Sequence, residues 1–179
     1  MLISTLVKHI KGGGKYLYST VSYARKIGVK IGDSCFVADR HHWSSEPYLI
    51  TIGSNCQITE RVKFFTHGGG HVLRDKEPDF DAFGKIEIGD WVYIGSGSMI
   101  MPGVTIGNNV LIAAGSVVTK SIPPRVVVGG NPAKIICTID EFYEKNKKYN
   151  LRTKGKTNLE KKEILLSLPE NLLIHKNRM

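Results

Sequence analysis

The sequence predicts an all-β fold, a parallel β-helix whose chain coils around a narrow axis, and three patterns carry that prediction. Ile88, Ile94, Ile100, Ile106, Ile112 and Val118 recur every six residues. Four residues after each of the first five stands Val92, Ser98, Val104, Val110 or Ser116, all small. Gly89, Gly95, Gly107 and Ala113 directly follow four of the same aliphatics. A period of six is neither the 3.6 of an amphipathic helix nor the alternation of a half-buried strand. It marks a repeating coil with one aliphatic per flat face pointing inward. The short residues belong at the corners, where a large side chain would strike the coil above or below.

The elements follow in order. Residues 1–27 mix apolar and basic side chains around Gly12-Gly13-Gly14-Lys15, which lacks the spacing and hydroxyl of a phosphate-binding loop and reads as a hinge. One or two short helical or irregular pieces are expected there. The coil occupies residues 28–137. It starts at Ile31-Gly32-Asp33-Ser34-Cys35 and reaches Val37, is interrupted over residues 38–49, and resumes at Ile52-Gly53-Ser54-Asn55-Cys56, Ile58 and Phe64. A second interruption, polar and rich in Gly and Asp, runs over about residues 68–85 before the regular stack to Val118. At eighteen residues per three-sided coil this makes about four or five coils, spaced roughly 4.8 Å apart. Pro123-Pro124 breaks the stack, Val126 to Val128 adds one strand-like stretch, and Gly129-Gly130-Asn131-Pro132-Ala133-Lys134 is a turn. Residues 138–179 form a C-terminal helical extension, with helices expected at 139–149 and 159–168.

The formal net charge is +9, and its distribution matters more than its size. Residues 1–30 hold six Lys or Arg and no acid, and residues 141–179 hold ten basic residues against five acids. The middle, residues 31–140, with nine basic and eleven acidic residues, is near neutral. A nucleic-acid reader concentrates positive charge on its folded face, so nucleic acid is not the expected partner. Solvated termini explain the excess, with weak association to an anionic membrane surface as the alternative. Residues 1–10 are too short and too interrupted for a signal peptide or membrane span. Cys35 and Cys56 occupy the small inward slot of the repeat, as packed and reduced thiols do. A cytoplasmic protein is expected.

Both interruptions contain histidines, and insertions on a repeat scaffold are where function sits. His67 follows Phe64-Phe65-Thr66 at a coil edge and opens a glycine loop with room for a ligand. An imidazole that titrates near neutrality suits a general base acting on a hydroxyl or amine. His71 is a second candidate, for substrate contact. A metal pair at that spacing needs a helix, which three glycines oppose. His-Gly-Gly-Gly also resembles a lipase oxyanion loop, but no Gly-x-Ser-x-Gly elbow follows. In the first interruption Glu46 or Asp39 could orient an imidazole, and Glu46 and Tyr48 are candidates for substrate contact.

Residues 88–134 resemble the hexapeptide-repeat acyltransferases. The stretches that carry the likeness are Ile94-Gly95-Ser96, Pro102-Gly103-Val104-Thr105-Ile106-Gly107, Ala114-Gly115-Ser116-Val117-Val118-Thr119-Lys120 and Gly130-Asn131-Pro132-Ala133-Lys134. Ser45-Glu46-Pro47-Tyr48-Leu49 and Phe65-Thr66-His67 are similar to the polysaccharide O-acetyltransferases in particular, alongside the galactoside and maltose enzymes. The resemblance implies a left-handed β-helix, a homotrimer with active sites between neighbouring prisms, and acetyl-CoA as acyl donor with no metal required. It places the general base at His67 and a coenzyme groove along Ser96, Ala114, Thr119, Lys120 and Lys134, bordered by Tyr93. The implied activity is O-acetylation of a sugar or polysaccharide precursor, with N-acetylation of an amino sugar, or acetylation of serine or a xenobiotic, as alternatives. Polysaccharide relatives often carry Asp directly after the catalytic His. This chain has Gly68; if that Asp orients the imidazole, another carboxylate does so here or the base is weaker. The hydratases of the same fold need a three-His pattern that His41, His42, His67 and His71 do not supply.

Overall fold

A computed structural model describes residues 19–40 and 42–176. The glycine hinge at 12–15, the segment 1–10 and His41 lie outside the described residues. Helix α1 (Thr20–Lys26) opens the fold, capped where Ser19 accepts from the Ser22 N–H. The strands follow in chain order: β1 (Lys30–Ile31), β2 (Phe36–Val37), β3 (Ile50–Ile52), β4 (Gln57–Ile58), β5 (Lys63–Phe64) and β6 (Ile86–Ile88). Then come β7 (Tyr93–Ile94), β8 (Met99–Ile100), β9 (Thr105–Ile106), β10 (Leu111–Ile112), β11 (Val117–Val118), β12 (Val126–Gly129) and β13 (Lys134–Thr138). Helices α2 (Ile139–Asn146) and α3 (Asn158–Ser167) end the described chain, each opened by a Thr–Glu capping box, Thr138–Glu141 and Thr157–Glu160. The all-β label is therefore loose: among the described residues, helices flank the strands on both sides.

The strands make three sheets, ordered β1-β3-β6-β9, β2-β4-β7-β10-β12-β13 and β5-β8-β11. Every pairing is parallel except β12 with β13. The chain visits the three walls in rotation, and one aliphatic or aromatic per strand points to the axis. Ile58, Phe64, Ile94, Ile100 and Ile112 have no accessible surface. Each such burial is worth roughly 1.5–3 kcal/mol. Cys56 fills the inward slot expected of it, and burial pushes its thiol up to about 11.

The glycines after the inward residues answer to close coil approach. A Cβ on Gly95 would fall 2.8 Å from the Ala113 carbonyl carbon of the next coil. Gly95→Ala is expected to lower stability by about 1–3 kcal/mol, as overpacking does. A urea midpoint equal to that of the wild type would show that the coils part freely.

The structure corrects three expectations. The first interruption is smaller than residues 38–49, because the six-residue rhythm continues from Val37 to Trp43. Trp43 is buried and its ring stacks on Phe64, centroids 4.8 Å apart and planes 3° from parallel. The register Ile31↔Ile52 and Val37↔Ile58 makes this coil 21 residues long, three more than the regular Ile88↔Ile106 coil. Second, Pro123-Pro124 does not break the stack: Ile122 bridges Ile106 before it and Val128 pairs with Ile112 after it, in a coil shortened by two residues. Third, β13 returns antiparallel to β12 and covers the last edge, where only a turn was expected.

Candidate active site

Trp43 and Phe64, stacked across two coils, fix where their chains leave the third wall. Three residues beyond each come Glu46 and His67. His67 Nδ1 lies 2.8 Å from Glu46 Oε2. Thr66 binds the pair to the scaffold. It is wholly buried; its hydroxyl donates to Glu46 Oε2 at 2.7 Å, its N–H to Ser44 Oγ at 3.3 Å, and its carbonyl accepts from Gly84 N–H at 2.7 Å. The loop from Gly68 thus returns to where it began, and His67 and Phe83 form an antiparallel bridge. The Phe83 ring, half-exposed, flanks the imidazole at 5.7 Å between centroids.

The His67 side chain is 38% exposed and that of Glu46 16%. With Nδ1–H donating to the carboxylate, the neutral ring keeps its Nε2 lone pair free for a proton. The Thr66 hydroxyl, first, and the His67 contact hold the Glu46 carboxyl below its usual range, against the opposing effect of partial burial. A depressed folded pKa contributes stability above the unfolded value of about 4.3, and that stability is lost as pH falls through the folded value. The stability gap between wild type and Glu46→Gln is therefore expected to hold from neutrality to about pH 5 and to close below about pH 4. Urea unfolding at several pH values checks this, and a gap unchanged at pH 3 would contradict it.

Asp39, the other candidate partner for an imidazole, accepts from the Arg61 N–H at 2.9 Å instead. His42 Nδ1 lies 3.3 Å from the Phe64 carbonyl, with its ring near Phe65, so it belongs to the coil wall. Tyr48 is exposed on the short 3₁₀ turn Pro47–Leu49, its Cβ close to Gly28. His71 is exposed on the 3₁₀ turn Gly70–Leu73 and makes no side-chain hydrogen bond among the described residues.

Thr119 and Lys120 share the edge of His67. The register Phe64↔Ile100↔Val118 stacks Thr119 two coils above Phe65, about 10 Å along the axis. Both are exposed. Ser96 and Ala114 lie at the opposite edge of the same wall, where the Gly115 N–H donates to the Ser96 carbonyl at 2.9 Å. Lys134 opens β13, exposed, and Tyr93 points outward from the second wall. One chain thus brings Glu46 to His67 but spreads the expected coenzyme contacts over two edges. Sequence reasoning missed Thr66 as the clasp and Phe83 as the flank. The six-residue step from Val37 to Trp43 was the signal that would have placed the first arm.

Residues 85–120 match the family described as bacterial transferase hexapeptide (six repeats). Among solved structures, a maltose O-acetyltransferase from Clostridium difficile 630 superposes with a TM-score of 0.56 at 34% identity, over 62% of this chain and 59% of that one. A hexapeptide-repeat acetyltransferase from Vibrio cholerae, solved with acetyl coenzyme A, gives 0.50 at 27% identity, over 66% and 75%. Protein CapG of Staphylococcus aureus is 50% identical over 145 residues, 79% of this chain and 84% of CapG. The chain belongs to the hexapeptide-repeat acyltransferase family. In this hexapeptide-repeat acyltransferase the buried Thr66 clasp holds a partly exposed imidazole at a coil edge. Among the described residues, no cluster of three or more His, Cys, Asp or Glu could hold a metal ion, and no helix is long and apolar enough to cross a membrane.

Proposed function

We propose that this chain transfers the acetyl group of acetyl-CoA to a hydroxyl of a sugar or polysaccharide precursor, with His67 as general base. The observation that carries the reading is the 2.8 Å contact between His67 Nδ1 and Glu46, which leaves Nε2 as the proton acceptor. His67 takes the proton from the acceptor hydroxyl as that oxygen attacks the thioester carbonyl. Backbone N–H groups of the groove hold the resulting oxyanion, a contribution of about 3–4 kcal/mol. As the oxyanion collapses and the C–S bond breaks, the imidazolium gives its proton to the departing thiolate, which leaves as the free thiol. Glu46 is a positioning residue: it fixes the tautomer and balances the imidazolium.

The prism is left-handed in this reading and assembles as a homotrimer in the cytoplasm. Ser96 and Ala114 of one edge would meet Thr119 and Lys120 of the next chain's edge across the intervening groove, with Tyr93 at its border. Lys120 and Lys134 pair with the coenzyme's phosphates. Tyr48 and His71, on the turns beside the base, lie on the acceptor side. The activity of the maltose enzyme and the acetyl coenzyme A of the Vibrio cholerae structure support this reading.

The test is thiol release from acetyl-CoA, in chelated buffer, against hydroxyl sugars, amino sugars and serine, with the product characterised. Release that follows a hydroxyl sugar and gives an alkali-labile ester is the expected result. An amide product, or release driven by serine alone, would move the activity to another acceptor.

A further inference from the structure

Away from His67, a cleft of about 480 Å³ opens between the outer face of the second wall and α2. That volume falls within the roughly 300–1,000 Å³ of small-molecule sites. Its walls are pre-formed: α2 is tied down by the Arg125–Asp140 ion pair at 2.7 Å and by the Ile139 N–H donating to the Arg125 carbonyl at 2.9 Å. Trp91 and Tyr93 line one side, Phe142 and Tyr143 the other. Trp91 is 63% exposed and Tyr143 61%.

Trp91 is out of type where it stands. It occupies a left-handed corner, φ 58°, three residues after an inward isoleucine. The same corner in the other coils is held by Ser34, Asn55, Asn109 and Arg125, with φ between 56° and 62°. Asn takes that conformation readily and a bulky ring does not. Burial does not reward the Trp there, so its reason lies outside the fold.

The polar lining is amide. Asn146 spends its Nδ2 on the Phe142 carbonyl and keeps Oδ1, whereas Asn150 accepts from the Arg152 N–H and keeps Nδ2. Lys147, the lining cation among the described residues, is paired with Glu144. A ligand carrying phosphates finds no unpaired cation in the lining. Flat apolar rings, amide donors and acceptors, and no spare charge fit a neutral ligand with apolar faces and hydroxyl edges.

We propose that this cleft binds a neutral stretch of glycan, its pyranose faces on Trp91 and Tyr143 and its hydroxyls on the amides of Asn146 and Asn150. The inference stands on the cleft's own lining and does not depend on acetyl transfer being the reaction.

Tryptophan fluorescence of the full chain tests it. The chain has two tryptophans; Trp43 is buried against Phe64, so a change on ligand addition reports Trp91. Titration with maltotriose and with chitotriose, without acetyl-CoA, is expected to give a saturable blue shift for at least one. Trp91→Asn keeps a residue type that the corner already accepts at Asn55 and Asn109. By calorimetry it is expected to weaken that glycan at least tenfold, and Asn146→Ala at least threefold. No saturable shift with either glycan, or equal affinity in Trp91→Asn, overturns the proposal. Coenzyme A affinity lowered at least tenfold in Trp91→Asn, with glycan affinity unchanged, also overturns it and assigns the cleft to a nucleotide. Glycan binding through Trp91 in a protein that transfers no acetyl group would sink the proposed activity and leave this site standing. The converse result would do the opposite.

Discussion

Replacing His67 with Ala is expected to lower turnover by about 10²–10⁴-fold, the usual cost of losing a general base. Acetyl-CoA binding should stay within about twofold of wild type, since the ring is read as touching the acceptor and the reacting carbonyl rather than the coenzyme arm. Parallel measurement of kcat and of acetyl-CoA affinity by calorimetry separates the two. Glu46→Gln sharpens the test. Alone it should lower kcat more than it changes KM, because it releases the imidazole without removing it. In the His67→Ala background it should add almost nothing, because residues that act as a unit are not additive. A Glu46→Gln penalty of equal size in both backgrounds would mean that the carboxylate acts on the substrate by itself. Unchanged turnover in His67→Ala would remove His67 from the chemistry.

The regular coil is legible because its constraint is local and repeated: each turn must present one inward aliphatic and one residue small enough for the coil above. That is why Ile88 to Val118 can be read directly, and why the departures cannot. Trp43 looks like loop because an aromatic in a stretch of His, Ser and Glu does not resemble the Ile-Gly signature, although it fills the same inward slot. With Trp43 in place the first coil is 21 residues long, and the Glu46–His67 pairing follows by counting, since Glu46 and His67 are also 21 apart. The same count sets Asp39 beside Glu60 and Arg61, where it bonds the Arg61 N–H. The choice between two carboxylates was therefore encoded, but only for a reader who had the register. The strand β13 is illegible for a different reason. Its residues Ile135 and Ile136 are exposed and carry no period, and what places it is the free edge of β12.

Phe64→Ala is the substitution from which the largest loss of stability is expected, about 3–5 kcal/mol, because a fully buried ring leaves a cavity that stacked coils cannot close. Against the 5–15 kcal/mol of a typical domain that is a large share, and chemical unfolding would read it directly. Phe64→Leu carries the functional half of the expectation. It keeps most of the apolar volume and forfeits chiefly the stacking with Trp43, roughly 0.5–1.5 kcal/mol, so the protein should remain folded at 25 °C. The aromatic pair sits three residues before both Glu46 and His67 and is the buried ring contact that joins the two coils beneath them. Loosening it should let the carboxylate and the imidazole drift from their 2.8 Å contact. A folded Phe64→Leu enzyme is then expected to lose several-fold in kcat with KM for acetyl-CoA little changed, since a misplacement of about 1 Å at a reacting group is costly. Wild-type kcat in that variant would mean that Thr66, through its bonds to Glu46, Ser44 and Gly84, holds the pair without help from the rings beneath it.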